Sequence, residues 1–443
     1  MSIFHRAVIK TLLSISGSSI LKYMKDIEKS MLLSENAIAR YQEGKLKKML
    51  LHCWANVPYY RAKLEESKTV VNGKVQLENY GNLPFLTKDI IRTEGENLLS
   101  KDASSRSCYK NSSGGSTGEP VLLYQDQRYD EWNIATKLHF FQMYGKKLGD
   151  KEIKLWGSDR DIIKGRLTSK ESIINHLYNR KFFNSYRFGD TEKERLYRLH
   201  EEFKPVAYWA YMDALVEFSK YVLESRIVLT PPKYVISTIG PLSDKTRKLI
   251  EKAFRCNVYN QYGSRELGWV ASEVQKADML VGFWRNIVEL IRQTTGEYEI
   301  VVTTLENYSM PLLRYKVGDI GLSGNSKVKV GPIESHIHLG NIKGRTLGFF
   351  VKEDGSLIHS HFFVQQFFFR KWIKKFKIIQ KDVHTIECII VGYRCIKEMK
   401  EIEKYFRMLT RPLKIQWKFV DNIEPLKSGK FNYTESLVVN RPQ

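Results

Sequence analysis

Apolar positions between residues 128 and 305 alternate between a helical period and short buried runs, and this alternation predicts a layered α/β body. Helices are predicted over residues 128–145, 191–203, 213–224 and 243–254, with strands at PVAYWAYM, KYVIST and NVYNQY between them. Such a succession forms a parallel sheet covered by helices. The sequences NIVELIRQ and EYEIVVTTL then predict a hairpin, which adds an antiparallel part.

The pattern changes again near Gly344. The strand sequence ECIIVGY, a helix near residues 396–408 and the strand sequence LKIQWKFV predict a small α+β domain. A chain of 443 residues also exceeds what one core usually supports. We therefore predict an α/β protein with two domains. Residues 1–343 form a large layered domain with mostly parallel sheets plus a β subdomain, and residues 344–443 form a small, mobile α+β C-terminal domain.

Charge narrows the choice of partners. The net charge is +22, and a field of that sign favours nucleotides, coenzyme A, nucleic acid or an anionic membrane face without choosing among them. The N-terminal apolar stretch is interrupted by Ser14 and Ser16, is too short to span a bilayer, and lacks a signal-peptidase site. We expect a cytoplasmic protein whose first helix packs on the large domain, with peripheral contact to the inner membrane face as the alternative.

The segment SSGGSTGEP, residues 112–120, is the strongest local signal for chemistry. Its glycines let the backbone approach a ligand, and its hydroxyl and backbone N–H groups are the donors that a phosphate needs. It lacks the GK[ST] ending of a Walker loop, which disfavours a P-loop NTPase. Taken alone, the segment is equally compatible with a flexible surface loop.

Four further motifs follow in order along the chain. They are QYGSRE (261–266), MPLLRYKVGDIG (310–321), NIKGRTLGFF (341–350) and EPLKSGKFN (424–432). The first lies at the carboxyl end of a predicted strand, where α/β sheets bind ligands. Each charged residue in these motifs also has an ordinary explanation as a turn or surface residue. Their order and spacing together favour a nucleotide site.

These motifs, with NVPYYR and LPFLTKDIIR, resemble the adenylate-forming superfamily of acyl-CoA synthetases, adenylation domains and luciferases. The sequence is most similar to the branch that contains phenylacetate–coenzyme A ligase and the CapK-type proteins of capsular polysaccharide synthesis. The resemblance covers about residues 40–433. It implies ATP- and Mg²⁺-dependent activation of a small carboxylic acid to an acyl-adenylate, followed by acyl transfer to coenzyme A, in the setting of surface polysaccharide biosynthesis.

The resemblance also implies a role for each matching residue. The loop around the ATP phosphates would consist of Ser113, Gly115, Ser116, Thr117 and Gly118. Tyr262 would lie against the adenine, next to Gly263, and Glu266 would hold Mg²⁺. Asp319 would accept hydrogen bonds from the ribose hydroxyls, with Arg345 close to the same sugar.

Lys430 would reach from the small domain to the α-phosphate and the attacking carboxylate. A carboxylate attacks a polyanionic phosphate poorly, so the site must screen like charges and hold the reacting atoms in line. A lysine on a mobile domain would provide that screening only after closure. The sequence departs from the usual pattern at Glu119, where many relatives have Lys, and at Leu347 and Gly348, where an acidic hinge is common.

Residues between the motifs are candidates for the acyl pocket, with plain core packing as the alternative for each. They are Trp209, Tyr211, Ser237, Ile239 and Trp269. Two other functions stay open: an adenylyltransferase or amide-forming ligase that does not use coenzyme A, and a basic nucleic-acid- or membrane-binding protein with a degenerate nucleotide site. Intact Glu266, Asp319 and Lys430 argue against the second, so we expect no nucleic-acid partner.

Overall fold

The computed structural model describes residues 2–112, 121–156, 169–185, 188, 190–240, 242–293, 298–344, 349–354, 357–364, 366–367, 370, 372–410, 413–423 and 433–438. These residues divide into two compact units, a large one that ends at Gly344 and a small one that follows it. Each unit has its own hydrophobic core.

The large unit contains the helices predicted over residues 128–145, 191–203, 213–224 and 243–254, together with others. They are α1 (Ser2–Ile15), α2 (Ile20–Ser30), α3 (Glu35–Asn56), α4 (Pro58–Glu66), α5 (Lys88–Glu94), α6 (Gln127–Met143), α7 (Ser169–Leu177), α8 (Asp190–Phe203), α9 (Met212–Glu224) and α10 (Asp244–Phe254), with 3₁₀ turns at Leu77–Asn82, Gly95–Leu98 and Ala103–Arg106. Thr87 caps α5, because its hydroxyl accepts from Ile90 N at 3.2 Å.

The strands of the large unit include three short pairs and one extended sheet. They are β1 (Val70–Val71), β2 (Lys74–Val75), β3 (Tyr109–Ser112), β4 (Leu122–Gln125), β5 (Glu152–Trp156), β6 (Arg180–Asn184), β7 (Ala207–Tyr211), β8 (Tyr234–Thr238), β9 (Asn257–Ser264), β10 (Gly268–Gln275), β11 (Asp278–Val281), β12 (Asn286–Arg292), β13 (Tyr298–Thr304), β14 (Tyr315–Ser323), β15 (Lys327–Val330), β16 (Ile333–His336) and β17 (His338–Gly344). Among the described residues, eleven strands form one sheet in the order β12-β13-β14-β17-β11-β10-β9-β8-β7-β5-β6.

The extended sheet has a parallel half and an antiparallel half. Strands β6, β5, β7, β8 and β9 pair in parallel, as the alternation of helices and strands predicts. From β9 to β12 every pairing is antiparallel. The change occurs at β9 and β10 because a three-residue turn joins them, and so short a connection permits only an antiparallel pair. The predicted β subdomain is therefore continuous with the parallel strands.

Helices cover both faces of the parallel half. Helix α6 packs on the face that carries Tyr234 and Ile236, whereas α8, α9 and α10 pack on the face that carries Tyr208 and Val235. Successive residues of a strand point to opposite faces, so each strand contributes to both layers. This two-sided burial explains why these strands are continuous apolar runs rather than alternating ones.

The small unit is an α+β domain, as predicted. Its elements are β18 (Phe349–Val351), β19 (Leu357–His359), α11 (His361–Val364), β20 (Ile373–Asp382), β21 (Thr385–Gly392), α12 (Ile396–Leu409), β22 (Lys414–Phe419) and β23 (Thr434–Ser436). Strands β22, β21, β20 and β23 form a sheet in that order. Ile402 and Phe406 of α12 are fully buried against the sheet residues Ile378 and Ile386.

The N-terminal helix packs on the large unit, which confirms that part of the prediction. His5 and Ile9 are buried, and Arg6 Nε donates to Leu148 O at 3.2 Å. None of the helices that the structure describes is both long enough and apolar enough to cross a bilayer.

Candidate functional site

Glu266 lies in the turn between β9 and β10, and neighbouring elements fix the backbone of that turn. Gln125 Nε2, at the end of β4, donates to Arg265 O at 2.8 Å, and the Tyr129 hydroxyl on α6 donates to Glu266 O at 3.3 Å. The Glu266 side chain is 5% exposed, and its carboxylate lies 3.7 Å from Lys88 Nζ at the start of α5. The turn therefore presents one carboxylate at a fixed position beside a cation.

The buried side chain of Arg285 hydrogen-bonds to the same turn and to α6. Asn133 Oδ1 on α6 accepts from Trp269 N at 2.8 Å and from Arg285 Nη1 at 2.9 Å, and Arg285 Nη2 donates to Leu267 O at 3.4 Å. Gly268 has φ +67° and no room for a Cβ, which would collide with Asn133. The turn is thus tied to β4 before Glu266 and to α6 at Glu266 and after it, which favours a rigid site.

Gly263 allows strands β9 and β10 to approach each other closely. A Cβ at this position would collide with Gly268 O of the paired strand β10, so only glycine permits this close approach. The predicted contact between Gly263 and the nucleotide stays a prediction.

A hydrogen bond joins two of the predicted motifs. The Tyr262 hydroxyl on β9 donates to Asp319 Oδ2 on β14 at 2.8 Å, and Asp319 is 8% exposed. Strands β10, β11 and β17 lie between β9 and β14 in the sheet order, and four strand spacings would amount to about 19 Å in a flat sheet. The sheet must therefore curl strongly here, and this curvature brings together side chains that are 57 positions apart. We call Tyr262, Glu266 and Asp319 the nucleotide region.

The donor set of this region suits Mg²⁺. The described residues contain no group of three or more His, Cys, Asp or Glu that would form an all-protein metal cage. Mg²⁺ in nucleotide sites is usually held by one or two carboxylates together with phosphate oxygens and water. A single fixed carboxylate such as Glu266 meets that requirement when ATP supplies the other oxygens.

Seven of the predicted site residues lie outside the described residues. They are Ser113, Gly115, Ser116, Thr117 and Gly118 of the glycine-rich segment, Arg345, and Lys430. Their roles stay predictions.

Three of the predicted pocket residues join one aromatic cluster. The ring centroids of Trp209 and Trp269 are 5.7 Å apart, and Trp156 lies 4.8 Å from Trp209 and 4.3 Å from Tyr211. Trp269 is buried, whereas Trp156, Trp209 and Tyr211 are half-buried. Trp156 and Tyr211 end the parallel strands β5 and β7, at the edge of the sheet where α/β proteins bind ligands.

The other two predicted pocket residues do not join that cluster. Ser237 is fully buried and follows Ile236 on β8, so it points to the face opposite the one that carries Trp209. Ile239 lies just beyond β8, is 41% exposed and has φ +59°. A positive φ is costly for a β-branched residue, and strain of this kind concentrates at functional sites.

Sequence reasoning missed three charged or aromatic residues, one beside Glu266 and two beside Trp209. Lys88 lies inside the motif LPFLTKDII, so the motif was available as a signal. Lys137 on α6 and Trp156 on β5 have no motif around them. Lys137 approaches Trp209 because α6 covers this face of the sheet, and Trp156 approaches it because β5 pairs with β7.

Comparisons with known proteins agree with this architecture. Residues 350–436 match the family described as the CapK C-terminal domain. The chain is 24% identical over 437 residues to the protein CapK of Staphylococcus aureus, covering 95% of this chain and 94% of the relative. It is 22% identical over 335 residues to the phenylacetate-coenzyme A ligase of Pseudomonas putida, covering 71% and 72% of the two chains.

A solved structure gives the fold independently. The crystal structure of 2-hydroxyisobutyryl-CoA ligase in complex with 2-HIB-AMP and CoA has a TM-score of 0.59, 15% sequence identity and 90% coverage of each chain. The resemblance predicted from the motifs is confirmed: the relatives are CapK and phenylacetate-coenzyme A ligases, and the fold is that of an adenylate-forming CoA ligase with a small C-terminal domain.

Proposed function

We propose that this chain activates a carboxylic acid with ATP to form an acyl-adenylate and then transfers the acyl group to coenzyme A. The observation that carries the proposal is the hydrogen bond between Tyr262 and Asp319, because it joins two motifs that the resemblance assigns to one nucleotide. The relatives named phenylacetate-coenzyme A ligase support the same chemistry at the level of the reaction class.

The first half-reaction forms one bond and breaks another at the α-phosphorus of ATP. A carboxylate oxygen of the acid attacks this phosphorus, and pyrophosphate leaves with the electron pair of the broken P–O bond. Asp319 would accept from the ribose hydroxyls and Tyr262 would flank the adenine, so the nucleotide is held while the acid approaches. Mg²⁺ on Glu266 would screen the phosphate charges.

Lys430 would supply the remaining positive charge, at the α-phosphate and the attacking carboxylate. We propose that it belongs to a mobile C-terminal domain, residues 344–443, and that the glycine-rich segment Ser113–Gly118 of the large domain, residues 1–343, surrounds the phosphates. Arg345 would bind the ribose near the domain boundary. In the second half-reaction the thiolate of coenzyme A attacks the acyl carbon and AMP leaves.

Carboxylate-dependent exchange between ATP and labelled pyrophosphate tests the proposal. The panel contains aryl, fatty, hydroxy, amino and dicarboxylic acids, and coenzyme A is added afterwards to every acid that supports exchange. We expect exchange with at least one acid and an acyl-CoA product. Absence of exchange throughout the panel would sink the proposal. Exchange without a coenzyme A product would favour an adenylyltransferase or an amide-forming ligase instead.

The biological setting is part of the same proposal. The motifs resemble those of CapK-type proteins of capsular polysaccharide synthesis, so we propose a role in surface polysaccharide biosynthesis, in which the acyl group would modify a polysaccharide. Deletion of the gene should then remove an acyl substituent from the purified surface polysaccharide, and an unchanged acyl content would refute this setting.

We further propose a cytoplasmic protein that contacts the inner membrane surface through the outer face of α1. Ile3, Phe4 and Ile15 on this helix are 78%, 69% and 78% exposed. Lys10 is also exposed, and the net charge of +22 complements an anionic bilayer. Co-sedimentation with phosphatidylglycerol vesicles should fall several-fold in the Phe4→Ser variant and stay unchanged in Val228→Ser, which alters an apolar residue exposed elsewhere. Equal sedimentation of all three proteins would refute the contact.

A further inference from the structure

Two lysines lie against the aromatic rings of the predicted acyl region. Lys137 Nζ on α6 is 5.2 Å from the centroid of the Trp209 ring. Lys154 Nζ on β5 is 4.7 Å from the same ring and 4.3 Å from the ring of Trp156. We call Lys137, Lys154, Trp156, Trp209 and Trp269 the cation–aromatic cluster. An ammonium over an indole face is attracted by the ring, but this attraction replaces only part of the hydration that the cation has lost.

A buried carboxylate that interacts electrostatically with Lys137 already pairs with two other cations. Glu152, the first residue of β5, is 1% exposed and lies 2.6 Å from Arg180 Nε and 3.1 Å from Lys146 Nζ. Burial lowers the pKa of Lys137 well below its usual range, and the positive charge of Arg180 lowers it further, whereas the carboxylate of Glu152 acts in the opposite direction. The neighbourhood therefore holds an excess of buried or half-buried positive charge.

Lys137 itself has no hydrogen bond or ion pair among the residues that the structure describes. The indole Nε1 atoms of Trp209 and Trp269 are buried there without an acceptor as well. Lys137 and these two indoles are therefore donors with no acceptor in hydrogen-bond contact among the described residues, although the charge of Glu152 acts on Lys137. A buried donor without an acceptor is costly, so a ligand oxygen that reached these donors would be bound favourably.

The position of the cluster connects it with the acid. Lys154 and Trp209 are directly opposed on the parallel strands β5 and β7, and Trp156 ends β5 at the ligand-binding edge of the sheet. Trp269 follows the Glu266 turn by three residues, so the cluster begins beside the nucleotide region along the chain. A neutral aryl or fatty chain placed against these rings would bury Lys137 further without adding to the negative charge of Glu152, which Arg180 and Lys146 already share.

We propose that the activated acid is a dicarboxylic acid, one carboxylate of which is adenylated while the other pairs with Lys137 in the cation–aromatic cluster. The inference rests on the proposed function and adds the substrate class to it. Lys137 acts here as a specificity residue that binds the distal end of the acid. It takes no part in the bond changes at phosphorus, so its effect should depend on which acid is offered.

Pyrophosphate exchange with matched acids tests this substrate class. The pairs are 1,4-phenylenediacetate with phenylacetate, and adipate with hexanoate, where the two members of a pair differ in the distal carboxylate. We expect kcat/KM of the wild type to be about a hundredfold higher for the better diacid than for its neutral partner. Lys137→Met should remove most of this preference, chiefly through KM, while changing kcat/KM for the neutral acids less than threefold.

Two further variants complete the experiment. Lys147→Met removes an exposed lysine in the loop after α6 and should keep the diacid preference. Lys137→Arg keeps the positive charge and should retain part of the diacid preference. This variant separates loss of the cation from loss of packing. Exchange that favours the neutral acids, or an equal response of both acids to Lys137→Met, would overturn the inference and leave the proposed function standing. Exchange with no acid of any class would overturn both.

Discussion

The nucleotide region and the cation–aromatic cluster lie in the same unit but are built in opposite ways. The nucleotide region consists of oxygen acceptors, Glu266 and Asp319, on a backbone that hydrogen bonds tie to α6 and β4. The cluster consists of two lysines and three indoles, and the Nε1 atoms of Trp209 and Trp269 are buried without a described acceptor. One region is already satisfied internally, whereas the other is short of negative charge.

This difference suggests a division of labour. A region that holds ATP must work in the same way for every acid, so a rigid and internally bonded construction suits it. A region that distinguishes acids gains from groups that only the correct acid satisfies, because an analogue without the matching charge leaves them unpaired. Substitutions in the first region should therefore affect all acids alike, and substitutions in the second should affect some acids more than others.

Removing the negative charge of Glu152 should have the largest effect, and this effect should be a loss of folding stability. Burial raises the pKa of Glu152, but the charges of Arg180, Lys146 and Lys137 outweigh it, so that the folded-state pKa is about 2 against the usual 4.5. A depressed carboxyl pKa stabilises the folded protein above pH 4.5, and the contribution is lost as the pH falls towards 2. Glu152→Gln should lower the free energy of unfolding by about 3 kcal/mol at pH 7.

Urea unfolding followed between pH 7 and pH 3 measures this effect. The gap between wild type and Glu152→Gln should narrow below pH 4.5. Glu334→Gln provides the control, because its ion pair with Lys327 is about half exposed and should contribute less than about 0.5 kcal/mol. An undiminished stability of Glu152→Gln would mean that the excess positive charge is not costly, and the cluster would then lose its contrast with the nucleotide region.

Loss of the predicted catalytic cation should come next. Lys430→Ala removes the positive charge expected at the α-phosphate, so we expect adenylation to fall by about a hundredfold for every acid tested, with the fold unchanged. Lys427→Ala alters a lysine of the same segment EPLKSGKFN and should stay within a few-fold of wild type. Exchange rates with a mono- and a dicarboxylic acid measure both variants. A loss confined to one acid would contradict the common role of Lys430.

The fold and the nucleotide region were accessible from sequence because their signals are local. The apolar periods predict α6, α8, α9 and α10 and the parallel strands between them, since each helix must cover one face of the sheet. Tyr262, Glu266 and Asp319 belong to short motifs whose order carries the resemblance. Neither signal contains the curvature of the sheet, and so the hydrogen bond between Tyr262 and Asp319 came from the structure alone.

The cation–aromatic cluster was only partly accessible for the same reason. Trp209 and Trp269 were predicted from their places between motifs, but Lys137 and Trp156 belong to a helix and a strand with no motif of their own. A lysine on an amphipathic helix is ordinarily a solvent-exposed residue. Lys137 is an exception because α6 turns this side chain towards Trp209, and a one-dimensional pattern does not contain that rotation.

The smallest expected effect tests whether the internal bond of the nucleotide region matters for ATP. Tyr262→Phe removes the hydroxyl that donates to Asp319 at 2.8 Å and keeps the aromatic ring. A hydrogen bond to a charged group contributes on the order of 1.5 kcal/mol, so we expect KM for ATP to rise about tenfold and the preference among acids to stay unchanged. Steady-state exchange at varied ATP, with one mono- and one dicarboxylic acid, gives both quantities.

Tyr259→Phe is the matched control for that substitution. Tyr259 lies three residues earlier on β9 and stacks on Tyr144 with ring centroids 4.0 Å apart, a contact that does not need the hydroxyl. It should leave KM for ATP within twofold of wild type. A changed acid preference in Tyr262→Phe would show that the two regions communicate. Because Tyr262 is separated from Trp269 only by the rigid turn around Glu266, that turn would then be the element to alter next.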